Sequence, residues 1–337
     1  MQMFRLTAPI GIMLSVALCM SAQKRSPQDQ AGYDRAARAT LIHPANVYVA
    51  ADDQSQRVTL VTPGHEVVAN QVSNGWVRVF ANTDVEEQRE DEIPEFLGDE
   101  AVTPKSGWIR DKGVVSAKTP NGDRILYGVA ATAEAAAAEP HAPKVAASSA
   151  YLLYRRVAEY FPDSPLAAES AWRSADIRWQ LEKTDVSTLP SAKDPDPGSR
   201  PRMYEDGLKR VQKNYPGTKY AALAAYDLLD TKLCGDWQGL PKCPQDESNV
   251  YEKYASQFPD GPKTAAALWN ALYRQGVLVS MYTAEENRKR ADAAAQHAHT
   301  LADQIQQRFM ATDYASRAAA MIYKVEQKIP IYGNDRD

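Results

Sequence analysis

The chain has 337 residues, 44% of them hydrophobic and 24% charged, enough apolar material for one or two cores. Its formal net charge is −4, which excludes the strongly basic balance of a nucleic-acid binder.

Residues 1–23 begin with a positive charge at Arg5, continue as an apolar run from Leu6 to Met20, and close on Ser21-Ala22-Gln23. That order reads as a secretory signal peptide cut after Ala22, although Met20 departs from the Ala-x-Ala pattern. The apolar run is short for a membrane span. Cys19 raises lipid anchoring as the only route to the membrane. The phrase Val16-Ala17-Leu18-Cys19 places Leu where a bacterial lipobox has a small residue. A cysteine in a discarded signal is the competing reading.

Between residues 36 and 118 short strands are predicted: Asn46 to Val49, Arg57 to Val61, Val67 to Ala69, Gly75 to Phe80 and Gly107 to Arg110. Turn residues such as Pro63-Gly64 separate them, as in a small barrel. An insertion over 81–106 carries Asp84, Glu86, Glu87, Glu90, Asp91, Glu92, Glu95, Asp99 and Glu100. It reads as a solvated loop, with contact to a basic partner as the alternative, and it lacks the Asp-x-Asp-x-Asp-Gly spacing of a calcium loop.

The order Asn46-Val47, Val58, Gly64, Gly75-Trp76 and Gly107-Trp108-Ile109 resembles a bacterial SH3-like β-barrel. That resemblance implies binding of cell-wall peptide, that is, peptidoglycan. Tyr48-Val49-Ala50-Ala51 replaces the family's Arg-Ser-Gly-Pro, and this departure counts against ligand binding here. Trp76 and Trp108 are expected in the barrel core, with a ligand-facing role as the alternative.

Pro120-Asn121-Gly122 closes the barrel, and a helix over 123–139 follows, with Asn121 or Asp123 as its cap. Pro140 and Pro143 break it. From there a phrase recurs: Phe161-Pro162-Asp163-Ser164, Tyr215-Pro216-Gly217-Thr218, Phe258-Pro259-Asp260-Gly261 and, decayed, Phe309-Met310-Ala311-Thr312. Four and seven residues before the aromatics stand Val157 and Tyr154, Val211 and Leu208, Tyr254 and Tyr251, Ile305 and Ala302, on one helical face. Small residues recur after them: Ala167, Ala168 and Ala171; Ala221, Ala222 and Ala225; Thr264, Ala265 and Leu268; Ala315, Ser316 and Ala319. Pro stops the first helix, and Asp, Ser or Thr is placed to cap the second.

Each phrase therefore predicts helix, tight turn, helix, and such pairs bury their apolar stripe only by stacking. The aromatics lie 54, 43 and 51 residues apart, longer than the roughly 34 of a regular tetratricopeptide unit. The units fall near 146–182, 203–232, 247–281 and 284–328 of a helical region 122–330. The Pro-rich 189–201 is expected as a mobile loop and 331–337 as a loose tail. The phrase resembles tetratricopeptide-like proteins of the bacterial envelope, the outer-membrane-assembly lipoprotein and cell-division coordinator families. The expected fold is thus multidomain, β followed by α: an SH3-like β-barrel and then an α-solenoid of helix pairs.

Chemistry is sparse. There is no Gly-x-Ser-x-Gly elbow, Walker loop, dinucleotide fingerprint or His-Glu-x-x-His, and no cofactor or metal is expected. Cys234 and Cys243 flank a short, turn-rich loop and are expected to pair as a disulfide, which export permits. A redox or metal pair would want Cys-x-x-Cys spacing or a nearby His. His297 and His299 are two apart on a helix and so point to different faces. Tyr220, Tyr226 and Tyr314 are candidate contacts, with core packing as the equal alternative. The expected function is a non-enzymatic scaffold or adaptor of the periplasm or cell envelope, with an envelope protein or peptide as partner. The rival is peptidoglycan binding by the barrel, with the repeats as a spacer.

Overall fold

The structure, a computed structural model, describes residues 37–84, 105–194 and 197–333. The signal segment with Cys19, and nearly all of the acidic insertion, lie outside the described residues.

The first half is a seven-stranded antiparallel sheet: β1 (Ala37–Leu41), β2 (Ala45–Tyr48), β3 (Arg57–Val61), β4 (Glu66–Ser73), β5 (Trp76–Ala81), β6 (Lys105–Arg110) and β7 (Val114–Ser116). The strand order is β3-β2-β6-β5-β4-β1-β7. Alternation places Val77, Val79 and Ala81 on one face, where they pack with Leu41, Val47, Val61, Val67 and Ile109. Asn74 and Gly75, both at positive φ (46° and 78°), form the two-residue turn that joins β4 to β5. The strands β1 and β7 are additions to the sequence reading. β1 is Ala-Arg-Ala-Thr-Leu, poor in β-formers, and is held by pairing with β4 and β7 on its two sides.

Nine helices follow among the described residues: α1 (Gly122–Ala137), α2 (Ala146–Tyr160), α3 (Ala167–Val186), α4 (Asp206–Asn214), α5 (Lys219–Asp227), α6 (Lys242–Gln257), α7 (Thr264–Ala284), α8 (Arg288–Arg308) and α9 (Asp313–Glu326). The four aromatic turns are geometric copies. Phe161, Tyr215, Phe258 and Phe309 end their helices at φ between −131° and −127°. Each donates its N–H to the carbonyl of Val157, Val211, Tyr254 or Ile305 and accepts from the amide of Ser164, Thr218, Gly261 or Thr312. The registered positions four and seven before them are all buried, from 0 to 6% exposed. The helical half is therefore repeat-like in its local geometry.

Three details differ from expectation. Asn121 stands at the N-cap of α1, as expected, but at φ 52° and without a side-chain cap bond, and Asp123 accepts from the Ser164 hydroxyl at 2.7 Å. The first aromatic turn is thereby tied to the start of α1. In the fourth unit Ser316 and Ala319 are exposed, and α9 buries Ala318, Met321 and Val325 instead. That turn lacks its Pro, and among the described residues no helix follows α9 to cover its outer face. The loop over 189–201 holds two short 3-10 turns, Pro190–Lys193 and Pro197–Ser199.

Sheet and helices meet at a buried charge cluster, beside a small apolar cluster in which Val115 of β7 packs with Leu126, Leu153, Tyr154 and Val157. Arg156 of α2 is 1% exposed. It donates through Nε to the Gly64 carbonyl (3.0 Å), through Nη2 to Asp84 (2.5 Å) and through Nη1 to Glu159 (2.5 Å). Asp84 also meets His65 at 3.3 Å, and Glu66, 4.0 Å from Arg156, accepts from Thr83 and Arg38. Burial alone would raise the Asp84 carboxyl; His65 and Arg156 hold it below its ordinary value. Gly64, at φ 91°, lies so close to α2 that a Cβ there would sit 2.5 Å from that of Leu152. The turn after β3 therefore requires glycine twice, for its backbone and for its neighbour.

Removing Arg156 would leave buried carboxylates without their cation. Arg156→Ala is expected to lower unfolding free energy by about 3–5 kcal/mol. Adding Asp84→Asn should recover part of that loss, because one uncompensated charge goes with it. Urea unfolding of the wild type and both variants measures the two steps; equal stability of all three would exclude a structural role for the pair.

Candidate functional site

The spacing of polar residues on the odd-numbered helices marks one surface. Tyr127 and Glu134 are seven apart on α1; Glu169, Trp172, Arg173 and Asp176 are spaced three, four and seven apart on α3; Tyr220 and Asp227 are seven apart on α5. Such intervals keep each set on one side of its helix. Hydrogen bonds then join the sets across helices. Glu169 accepts from Tyr127 (2.8 Å), Tyr220 (2.7 Å) and its own neighbour Arg173 (2.9 Å). Arg173 also donates to Glu134 at 2.7 Å, and Glu134 accepts from the Tyr154 hydroxyl at 2.7 Å. The rings of Trp172 and Tyr220 stack at 6.1 Å, and the Trp172 indole donates to Asp227 at 3.2 Å. All these groups except Tyr154 are partly exposed, so the face is organised yet open.

Its electrostatics follow from that order. Burial alone would raise the Glu169 carboxyl, but its two tyrosine hydroxyls and Arg173 hold it below its ordinary value. It is a fixed acceptor. Burial and the bond to Glu169 push the Tyr220 hydroxyl up to about 12, so it stays a donor. Asp227 is the exception: burial, followed by the negative charge of Asp176, pushes it up to about 7. Burial also raises Asp176.

Of the aromatics singled out from sequence, only Tyr220 belongs to this face. Tyr226 packs against Tyr254 (5.3 Å, edge-on) and Tyr251 (6.4 Å) on the core of the last units. Tyr314 packs on the same core beneath Arg317. Trp76 is buried, as expected of a core residue, and Trp108 is partly buried, but both stand apart from the apolar cluster of the sheet. By alternation Trp76 lies opposite Val77 and Val79, and Trp108 opposite Ile109. Trp76 is nonetheless 5% exposed, covered by the Arg110 guanidinium at 4.0 Å and the edge of Tyr48 at 5.8 Å.

Cys234 and Cys243 are disulfide-bonded, with Cα atoms 5.9 Å apart. Their loop is anchored on Glu247, whose Oε1 accepts from the Cys234 amide (2.9 Å) and the Trp237 indole (3.0 Å). Its Oε2 accepts from the fully buried Arg274 at 2.8 Å. His297 pairs with Glu252 and His299 with Glu326, on different helices. Among the described residues no three His, Cys, Asp or Glu side chains converge as metal ligands, and no helix is long and apolar enough to cross a membrane.

Glu169, Trp172 and Asp227 were not singled out from sequence, yet the register carries a signal for this face. Eleven residues after the first three aromatics stand Trp172, Tyr226 and Trp269, and twelve after stand Arg173, Asp227 and Asn270; after Phe309 the same positions are Ala320 and Met321. No protein-family model matches the chain, and no curated protein matches it.

The raised Asp227 sets a direction for pH. Its folded-state affinity for a proton exceeds that of the unfolded chain, so its contribution is most favourable below the unfolded pKa of about 4. That contribution is lost as pH climbs to about 7. Asp227→Asn, which keeps an acceptor for Trp172, should therefore raise the melting temperature at pH 8. The gain should shrink toward zero by pH 4. Thermal melts across that range check it; a gain that is constant or grows in acid would show that Asp227 is not held protonated by the fold.

Proposed function

We propose that this chain is an exported bacterial envelope protein. It acts as a non-enzymatic scaffold or adaptor, an SH3-like barrel followed by tetratricopeptide-like helix pairs. The partner is an envelope protein or peptide that docks on the polar aromatic face of α1, α3 and α5. One observation carries the reading: Glu169 gathers donors from three helices and holds Tyr127 and Tyr220 in partly exposed positions, with Trp172 stacked on Tyr220 and bonded to Asp227. Pre-ordered Tyr and Trp side chains lose little entropy on binding and dominate interface energies. The shared geometry of the four turns supports the repeat reading, and the apolar start of the chain supports export.

A second reading has its own observation. Tyr48, Trp76, Arg78, Trp108 and Arg110 share the face of the sheet opposite its apolar cluster. An aromatic and cationic face of that kind suits an anionic wall peptide, with the repeats as a spacer.

Affinity capture from detergent-solubilised envelope with the full chain tests the first reading. The wild type should retain a defined protein. The double variant Trp172→Ala, Tyr220→Ala, melting within a few degrees of wild type, should lose at least tenfold of it, as removal of two central anchors implies. Equal retention by the variant would remove the face from the interface. Retention of nothing, together with pelleting of the chain on purified cell wall, would transfer the function to the sheet.

A further inference from the structure

After α9 the chain turns back on itself. Lys328 adopts φ 56°, and the segment 329–333 runs without helix or strand along a single stripe of α7. The stripe is Tyr273, Gly276 and Ser280, three and four residues apart. The Ile331 amide donates to Ser280 Oγ at 2.8 Å, and the Tyr273 hydroxyl donates to the Tyr332 carbonyl at 2.9 Å. Ile331 is 8% exposed and fits against Gly276, where an added Cβ would lie 3.0 Å from its Cδ1. Its neighbours are not anchored in the same way: Ile329 is 45% and Tyr332 75% exposed. The described part of the expected loose tail is therefore tied down through Gly333, by one side chain and three main-chain groups.

The strap does not fill its bed. A cavity of ≈ 670 Å³ reaches from it toward the start of α8, and one of ≈ 460 Å³ reaches toward the disulfide loop. Ser280, Ile331 and Tyr332 line both, so the strap divides one longer groove in two. These polar contacts, with a further one from the Tyr273 hydroxyl to the Gly333 carbonyl at 3.4 Å, are to peptide groups that any extended chain carries, and the side-chain selection is for an aliphatic residue over Gly276. Extended peptides are recognised in this way, through main-chain bonds plus a pocket for an anchor. The groove shares no residue with the polar face of α1, α3 and α5.

We infer that this groove is a second binding site, for an extended segment of a partner protein with an aliphatic anchor, and that the chain's own strap occupies it as an exchangeable pseudo-ligand. The tether gives the strap an effective concentration on the order of millimolar, so a free peptide competes poorly until the strap is released.

The test uses the full chain carrying Ile331→Asp, the chain ended at Lys328, and the unaltered chain. The probe is a fluorescent peptide with the sequence of residues 327–337, followed by anisotropy. Both altered chains should bind it saturably, at least tenfold more tightly than the unaltered chain. A probe carrying Ile331→Asp should lose at least tenfold. In the shortened chain, Tyr273→Phe with Ser280→Ala should weaken binding of the intact probe. No binding by either altered chain, or equal binding by the unaltered one, would overturn the inference. Ile331 belongs to the buried cluster of the last helices, so loss of the folded helical signal in both altered chains would overturn it too, by making the strap inseparable from the fold. A strap-exchanged dimer of the unaltered chain in light scattering would reassign the groove to a second copy.

Discussion

The guanidinium of Arg156 is the constraint on which the rest of the structure depends. A cation that is 1% exposed must be paired and hydrogen-bonded to offset its lost hydration. Here the balance comes from both halves: Gly64 and Asp84 from the sheet, Glu159 from α2 itself. Breaking the junction would strand charge on both sides, so the sheet is docked in one orientation. The glycine turn at Gly64 makes the approach possible, and Leu152 fills the space it leaves.

From that junction the helical half repeats one local turn geometry. Each aromatic turn ends one helix and aims the next by the same two main-chain bonds, so geometry carries from unit to unit without a continuous core. Buried residues indeed form separate clusters along the array, around Tyr154, Trp179 and Leu272. Repetition also explains the polar face. Twelve residues after the first two turns stand Arg173 and Asp227, on α3 and α5, and Glu169 links α1, α3 and α5.

Much of this was legible in the sequence, and for identifiable reasons. The turns were, because Pro and a small polar residue after an aromatic leave few backbone options, and the buried flanks were, because helical periodicity is strict. The disulfide was readable from a short loop between two cysteines. The face of the sheet on which Trp76 is buried was not, since its cover by Arg110 depends on which neighbour crosses the strand. Glu169 was hidden because its meaning lies in partners 42 and 51 residues away. Arg156 was hidden as well: one of two adjacent arginines on a helix reads as surface until Asp84 is placed beside it. The decayed fourth unit misled over Ser316 and Ala319, because the last helix of an array answers to solvent and not to a following pair.

Calorimetric melting of the wild-type chain beside Arg156→Ala tests most directly whether that one residue makes sheet and helices a single body. A single cooperative transition in the wild type, split into two in the variant, is the expected result. Two separate transitions already present in the wild type would contradict the account, because the two halves would then unfold independently despite the buried charge between them.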